Sequence, residues 1–567
     1  MNKKFYITIN RKKILASQSE TILKIAQKNG FEIPSLCYHS DLTPKQSCGL
    51  CLVKIKGIKD LQKACVTEVK PDMEITTDSL AIKKARQKNL EKIFNSHAEE
   101  CYDCVWNYHC QLLELVKKIG KKKEGFIKKE KKQPVYQFGP ALIYDSQKCF
   151  GCENCVEVCE NQSIGFLEKK VEKDKIKIVP SQDPRKQCVY CGQCLIHCPA
   201  GAFEGVGEFE DVEKPLSQKN KIVVFQIAPA VRTALGEEFD LPLGISVLDK
   251  IVDGLKKLGA DKVFDVSVGA DFTTLEAEND LNKKLKDSQN FCIFSSCCPS
   301  WVRFVELYFP EYISNLAQIR SPQIILGGLI KTYWAKKQKI NSKDIFVVSV
   351  MPCVAKKYEI TRPEIMVNGF KPVDYVLTTR GLAQLFKKNK IDLKNLKGEE
   401  LDNPFNAPSG AGIIYGISGG VTEAMVRINT HLKGEKKDFL KIKKINSHRK
   451  EIEFNVNKRI LKMAIIDGLG EARKVLQEMK KEPGKYQCLE VMACSGGCLG
   501  GGGQPLPTNE LVREKRKKGL LGIDRRSNNK KATQNKIVKI INQEFLKNLN
   551  LRKKVFRVDY FSKRKNK

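Results

Sequence analysis

Twenty-two cysteines in 567 residues are the groups in this chain whose type and spacing carry chemistry. The stretch from Glu490 to Pro505, EVMACSGGCLGGGGQP, sets Cys494 and Cys498 in a C-x3-C turn that runs into four consecutive glycines. Thiolates are soft ligands suited to iron–sulfur centres, and glycines let backbone approach a ligand closely or adopt positive φ. Alone, the stretch would read as a tight turn with two buried thiols. It is joined by SSCCPSW (Ser295 to Trp301), which supplies Cys297 and Cys298, and by MPCVAKKYE (Met351 to Glu359), which supplies Cys353.

Upstream, Cys149, Cys152, Cys155 and Cys159 form a C-x2-C-x2-C-x3-C run, and Cys188, Cys191, Cys194 and Cys198 repeat it. This is a duplicated bacterial ferredoxin pattern, in which the fourth cysteine of each run ligates the other cluster. One 4Fe-4S cluster is therefore expected on Cys149, Cys152, Cys155 and Cys198, the other on Cys188, Cys191, Cys194 and Cys159. Pro199 follows the second run, whereas the first has Glu160 at that place, which costs local rigidity but no ligand. Before them, His97, Cys101, Cys104 and Cys110 make H-x3-C-x2-C-x5-C, a set that holds zinc as well as an iron–sulfur cluster. His109 reads as a surface or supporting residue. Cys37, Cys48, Cys51 and Cys65 lie within 29 residues. Their C-x10-C-x2-C-x13-C spacing departs from the plant-type C-x4-C-x2-C, and it fits a 2Fe-2S cluster with zinc as the alternative.

The elements that must position these groups follow from periodicity. Residues 4 to 9 (KFYITI) and the following RKKILA read as a strand pair, and Ser19 to Asn29 as a helix with Ile22, Leu23, Ile25 and Ala26 inward, stopped by Gly30. Ala81 to Phe94 has helical spacing. From Lys221, KIVVFQIAP, DKVFDVSV, FCIFSS and DIFVVSV read as buried strands, with LPLGISVLDKIVDGLKKLG as a helix ended by Gly259. Alternating strands and helices imply parallel α/β units with ligands at the carboxyl ends of the strands. SSCCPSW and MPC directly follow two such strands.

Composition narrows the class. No apolar run approaches the roughly 18 residues of a membrane span, and MNKKFYITINRKK has too short an apolar core for a signal peptide, so a cytoplasmic protein is expected. In a reducing compartment this many cysteines mean metal rather than disulfides. Lys and Arg outnumber Asp and Glu by 100 to 65, a formal charge of +35. Much of the excess is scattered lysine, concentrated at 117–132 and after Glu514. No nucleic-acid-binding signature accompanies it, and an acidic electron carrier is the expected partner. GGGG after Cys498 lacks the Lys-Ser/Thr of a phosphate-binding loop, so the chain carries no nucleotide fingerprint of its own.

Together these segments resemble the signature segments of the FeFe-hydrogenases, from about residue 4 to beyond Pro505. The resemblance implies a multidomain α/β plus α+β protein, with ferredoxin-like accessory modules ahead of a two-lobed α/β catalytic domain built on mixed and parallel sheets. It divides the chain into a 2Fe-2S ferredoxin-like domain (1–80), a His/Cys3 4Fe-4S domain (81–125), a charged linker (126–140), a two-4Fe-4S ferredoxin domain (141–209) and a catalytic domain (215–567). One 2Fe-2S cluster, three accessory 4Fe-4S clusters and the H-cluster are implied as cofactors. The H-cluster joins a 4Fe-4S cubane to a two-iron unit carrying carbon monoxide, cyanide and a dithiolate bridge. By the same resemblance Cys298, Cys353, Cys494 and Cys498 hold the cubane, and the Cys498 sulfur also bridges to the two-iron unit. Cys297 passes a proton to the bridge amine, a role suited to a weakly acidic thiol. Lys356 hydrogen-bonds a cyanide, Met351 and Met492 shield the two-iron unit, and Ala228, Pro229 and the Ser409 to Gly420 segment line the cavity. Cys292 and Cys488 are left as buried small residues.

The family's proton route pairs two glutamates and a serine with the free cysteine and the glutamate of the MPC segment. Glu359 is present, but the other positions read Ala277, Asp280 and Ala317. Alanine passes no proton, so Glu276 or Glu278 with Asp280 and ordered water is the expected substitute. The expected activity is reversible conversion of protons and electrons to dihydrogen, with reduced ferredoxin or a similar acidic carrier and with maturation proteins that install the two-iron unit. The alternatives are a hydrogen-sensing or low-turnover member, an iron–sulfur assembly relative, and a subunit of an NADH-linked, electron-bifurcating complex with a flavoprotein partner.

Overall fold

The computed structural model describes residues 4–97, 101, 104, 110–120, 134–172, 175–207, 209–218, 220–287, 291–429, 440–456 and 459–563. His109 and the centre of the lysine-rich stretch lie outside them. The first unit is a five-stranded sheet in the spatial order Lys12–Ser17, Lys4–Ile9, Glu74–Thr76, Leu52–Ile55 and Gln62–Lys63. Alternating side chains send Ile7, Ile9, Val53, Ile55 and Ile75 to one face. The helix Ile22–Lys28 covers that face with Ile22, Leu23, Ile25 and Ala26, and the Thr21 hydroxyl caps it by accepting from Lys24 N.

The helix Leu80–Ser96 is capped by the Ser79 hydroxyl and ends at His97. It packs beside Gln111–Ile119, and together they bury Leu90, Ile93, Phe94 and Leu112 against Leu36 and Leu50 of the first unit. Next come a three-stranded sheet (Phe203–Gly205, Leu142–Asp145, Val135–Phe138), a hairpin (Leu167–Glu172 with Lys175–Pro180) and the helices Asn154–Asn161 and Gln193–Ile196. The strand Val135–Phe138 falls where a linker was expected. Its register with Leu142–Asp145 and the turn at Gly139, φ +54°, make it the first half of a hairpin.

The C-terminal half is built on two sheets. One is fully parallel, in the order Lys262–Asp265, Ile222–Ile227, Ile345–Met351, Tyr375–Thr378. The other joins Ile293–Phe294, Cys488–Met492 and Arg459–Asp467 in parallel to the antiparallel Arg449–Val456 and Leu440–Lys444. Three expectations shorten. DKVFDVSV is a strand only to Asp265, whose Oδ1 accepts from Ser267 N at 2.9 Å and starts the helix Val266–Asp287. FCIFSS is a strand only at Ile293–Phe294, because the chain then turns toward the cysteine pair. The helix expected before Gly259 runs only over Leu248–Lys257.

Glycines let the halves meet. A Cβ on Gly502 would lie 2.8 Å from Gly192 Cα, and one on Gly501 only 2.1 Å from Pro352 O. Within the loop from Gly496 to Gly503, positive φ falls on Gly496 and Gly497, so close backbone approach, not unusual torsion, explains Gly501 to Gly503. The first unit is seated on the same loop by His39 Nε2 to Thr508 O (3.1 Å) and by Arg513 Nη1 to Asp41 Oδ2 (2.6 Å).

The helix Glu510–Arg526 fastens that loop through Arg516, which is fully buried. Its guanidinium donates to both Glu237 carboxylate oxygens at 2.7 and 2.6 Å and to Leu499 O at 2.7 Å. Replacing Arg516 by Met leaves Glu237 buried without its partner, at a cost of about 3–5 kcal/mol. The expected result is a lower thermal unfolding midpoint, and an unchanged midpoint would show that the pair contributes nothing net.

Candidate functional site

Three strand ends converge on one cavity. Met351 closes Ile345–Met351 and is followed by Cys353. Met492 closes Cys488–Met492 and is followed by Cys494. Cys297 and Cys298 follow Ile293–Phe294, and Cys298 is the N-cap residue of the helix Pro299–Tyr308. Cys498 opens a short 3-10 turn. Cys297, Cys298, Cys353, Cys494 and Cys498 all line this cavity, as do Ala228, Pro229, Met351, Met492 and Lys356. No carboxylate or imidazole is among its lining residues. A donor set of thiols in an otherwise apolar wall fits an iron–sulfur group and does not fit a hard, oxygen-seeking cation.

Lys356 is the cation of the cavity wall. Its Nζ donates to Cys297 O at 3.0 Å and to Glu359 Oε2 at 2.9 Å. Burial pulls its pKa down, but Glu359 and the neighbouring thiols outweigh that and hold it above the ordinary lysine value. The same Glu359 oxygen accepts from Ser321 Oγ at 2.9 Å and Gln323 Nε2 at 2.6 Å. Burial pushes the Cys297 thiol well above its usual range.

The polar groups expected to bypass Ala277 and Ala317 are otherwise engaged. Glu276 accepts from Arg552 Nε at 2.8 Å and from Arg557 Nη2 at 2.6 Å, and Asp280 accepts from Arg557 Nη1 at 2.6 Å. Ala317 and Ala277 pack against apolar core. A carboxylate clamped by two guanidiniums is a poor proton carrier, so Glu276 and Asp280 form an ion-pair cluster and not a path. Glu278, half-buried and raised by desolvation, is left beside Asn282.

The other cysteines group in space as follows. Cys37 Sγ lies 3.4 Å from Cys48 Sγ, and the Cys51 and Cys65 thiols share a hydrogen bond, with all four thiols free and buried. Cys149, Cys152 and Cys198 are the thiols within electrostatic reach of Cys155, with Cys194 beyond them. The thiols that act electrostatically on Cys194 are Cys191, Cys188 and Cys159, followed by Cys198. Backbone N–H groups of Gly151, Phe166, Tyr190 and Ala202 point at the sulfurs of Cys149, Cys159, Cys188 and Cys198 over 3.2–3.4 Å. Such donors stabilise sulfur that carries negative charge. His97 is buried, and its Nδ1 meets Lys148 O at 2.9 Å, which leaves Nε2 for another partner. Among its sequence companions, Cys101, Cys104 and Cys110 are half-buried. Cys488 is buried and Cys292 half-buried at the paired ends of two strands, away from the cavity lining.

Several residues that pattern reading passed over belong to the site. Gln193 Nε2 lies 3.1 Å from Cys494 Sγ and 3.2 Å from Gly500 O, tying the second ferredoxin run to the cavity. Glu490 lies buried on the strand that leads to Cys494, while Tyr415, which lines the cavity, belongs to the Ser409 to Gly420 segment already expected there. A glutamate inside the apolar CLEVM was the available signal for Glu490, whereas nothing local marks Gln193.

Residues 221–502 match the family described as "Iron only hydrogenase large subunit, C-terminal domain". Residues 2–79 match a 2Fe-2S iron–sulfur cluster binding domain and 148–202 a 4Fe-4S dicluster domain. The chain is 35% identical over 560 residues to the "NADP-reducing hydrogenase subunit HndD" of Solidesulfovibrio fructosivorans, covering 95% of each chain. It is 32% identical over 511 residues to "Iron hydrogenase 1" of Clostridium pasteurianum, covering 88% of each. A solved FeFe-hydrogenase HydA1 variant from Chlamydomonas reinhardtii superposes with a TM-score of 0.56 at 30% identity, over 62% of this chain and 98% of that one. No helix among the described residues is long and apolar enough to cross a membrane. With its thiol-lined cavity at the strand ends and its relatives matched over nearly their whole length, this chain belongs to the iron-only, or FeFe, hydrogenases.

Proposed function

We propose that this chain interconverts protons and electrons with dihydrogen in both directions, and that Cys298, Cys353, Cys494 and Cys498 hold the H-cluster. The observation that carries the reading is the convergence of five cysteines on one cavity that lacks carboxylate and imidazole donors. Held by these cysteines, the H-cluster would supply the redox chemistry that joins protons and electrons into dihydrogen and splits it again, as cofactors do in redox enzymes. The chain's own residues do the rest. Met351, Met492, Ala228 and Pro229 exclude water from the cavity, Lys356 places a positive charge at its wall, and Cys297 holds the proton to be delivered. Glu359 fixes the Lys356 ammonium by their 2.9 Å contact.

Electrons reach the cavity through one 2Fe-2S and three 4Fe-4S clusters in this reading. Cys37, Cys48, Cys51 and Cys65 hold the first, and His97 with Cys101, Cys104 and Cys110 the second. Cys149, Cys152, Cys155 and Cys198 hold the third, and Cys188, Cys191, Cys194 and Cys159 the fourth. The spatial grouping of the thiols and the N–H groups aimed at four of them support the two ferredoxin-type assignments. Gln193 bridges the last relay cluster to Cys494. The formal charge of +35 suits an acidic electron carrier such as a ferredoxin. A second reading has support from the relative named as an NADP-reducing hydrogenase subunit, matched over 95% of both chains. In it the carrier is a flavoprotein subunit that exchanges electrons with a pyridine nucleotide.

The deciding experiment is infrared spectroscopy of the anaerobically matured protein with hydrogen evolution from reduced methyl viologen. Cyanide and carbon monoxide bands with gas evolution are expected, and their absence after full maturation would refute the hydrogenase reading. Replacing Cys297 by Ala is expected to abolish most turnover with iron content and infrared bands retained, whereas loss of iron would make it a ligand instead. Gln193→Leu removes an N–H from the Cys494 sulfur and is expected to shift the reduction potential of the attached cubane to a more negative value. A redox titration followed by electron paramagnetic resonance reads the shift, and an unmoved potential would show that the contact does not tune the cluster.

A further inference from the structure

The geometry points to a proton route on the opposite side of the cavity from Ala277 and Ala317, running from Cys297 past Tyr415 to Glu490, then to Asp467 and the solvent-filled cleft beyond. It rests on the hydrogenase reading above.

Sheet register puts these groups on one face. Met492, which lines the catalytic cavity, and Glu490 are two apart on the strand Cys488–Met492 and share a face. Asp467 is the register partner of Met492 on the neighbouring strand, so it lies diagonally across from Glu490. The turn and helix start that cover this face touch both carboxylates. Glu490 Oε1 accepts from Gly419 N at 2.6 Å, and its Oε2 accepts from Thr422 N at 2.7 Å and Thr422 Oγ1 at 2.8 Å. The Ser418 hydroxyl lies beside Asp467, whose Oδ2 accepts from Gly496 N at 3.4 Å. Asp467 Oδ1 is buried without a hydrogen-bond partner among the described residues.

Both ends of the series open onto the right spaces. At the inner end, Tyr415 packs against Cys297 and Met492 and lines the catalytic cavity. Cys297 and Glu490 are the two titratable groups within electrostatic reach of its hydroxyl. At the outer end, Asp467 and Ser418 line a separate cleft of about 840 Å³ with Gly496 and His448. Glu490 is 2% exposed and, unlike Glu276, carries no cationic partner among the described residues. The charged or titratable groups around it are Asp467, Tyr415, Cys297 and Cys498, and those around Asp467 are Glu490, Lys450 and His448. Burial lifts the Glu490 carboxyl to about 7 against the opposing bonds from Thr422 and Gly419, and burial likewise raises Asp467. A carboxyl poised near neutrality is the efficient proton carrier there.

Each hop moves one proton and no electrons. A hydronium ion in the cleft protonates Asp467 and leaves as water, the proton crosses the diagonal gap to Glu490 by way of an intervening water, and the Thr422 hydroxyl turns to accept from the carboxyl it had donated to. The Tyr415 hydroxyl takes the proton from Glu490 while releasing its own to the Cys297 sulfur, and so ends neutral. Hydrogen evolution then needs Glu490 protonated, and the rate falls as pH rises through about 7.

The test uses matured holoenzyme and the variants Glu490→Gln, Asp467→Asn and Tyr415→Phe, all near in size to the native side chains. With cyanide and carbon monoxide bands equal to the parent's, each variant is expected to lose roughly a hundredfold in hydrogen evolution. Glu490→Gln is also expected to lose the pH inflection near 7. In the protein before the two-iron unit is installed, an infrared carboxyl band is expected to titrate near pH 7 and to be missing from Glu490→Gln. Variants that keep the parent rate and pH profile with bands intact overturn the route, and so does the absence of any such titrating carboxyl. Missing cyanide and carbon monoxide bands in the matured parent would instead refute the hydrogenase reading.

Discussion

Everything at the catalytic centre depends on backbone meeting backbone with no side chain between. Gly501 lies where a Cβ would press on Pro352 O, Gly503 where it would press on Cys353 N at 2.9 Å, and Gly502 where it would press on Gly192. These contacts bring Cys498 and Cys494 to Cys353 on one side and to the second ferredoxin run on the other. One glycine segment thus sets how closely the cavity cysteines approach one another and the second ferredoxin run. Arg516 makes the arrangement rigid by satisfying the carbonyls of Leu499 and Pro505 from a guanidinium already held by Glu237.

Burial and charge then divide the labour. Sulfur donors need compensation when they carry negative charge, and the structure supplies it as backbone N–H groups at the ferredoxin-type runs and, in the cavity, as the Gln193 amide on Cys494 and the Lys356 charge near Cys353 and Cys498. Elsewhere, buried charges are cancelled in pairs, Arg232 with Asp265 and Arg362 with Glu306, which anchor strand and helix ends around the site. Glu276 and Asp280 have been absorbed into such pairing by Arg552 and Arg557. Glu490 and Asp467 have not, and this difference separates groups that hold structure from groups free to exchange protons.

The relay modules are stitched to the catalytic half by polar contacts as well as apolar ones. His39 and Asp41 of the first unit reach Thr508 and Arg513, and the Gln187 amide nitrogen and carbonyl both pair with Tyr308 OH at 2.8 Å. Arg303 Nε donates to Cys188 O at 2.9 Å. The accessory modules and the catalytic half are thus joined by direct side-chain and backbone contacts.

Much was legible in the amino-acid order, because it is written in short-range spacing. The duplicated cysteine runs, the inward face of the helix Ile22–Lys28, and the two cysteine motifs placed after strands all follow from local periodicity and ligand geometry. The ends of elements were less legible. Whether DKVFDVSV continues as strand depends on Asp265, and its capping role appears only once Arg232 has fixed its carboxylate. The functional surroundings were decided by tertiary structure alone. Gln193 meets Cys494 from 301 residues away, and Arg552 reaches Glu276 from 276 residues away. Whether a buried carboxylate such as Glu490 or Glu276 is neutralised or left to titrate depends on which distant side chain packs against it, and no local spacing encodes that.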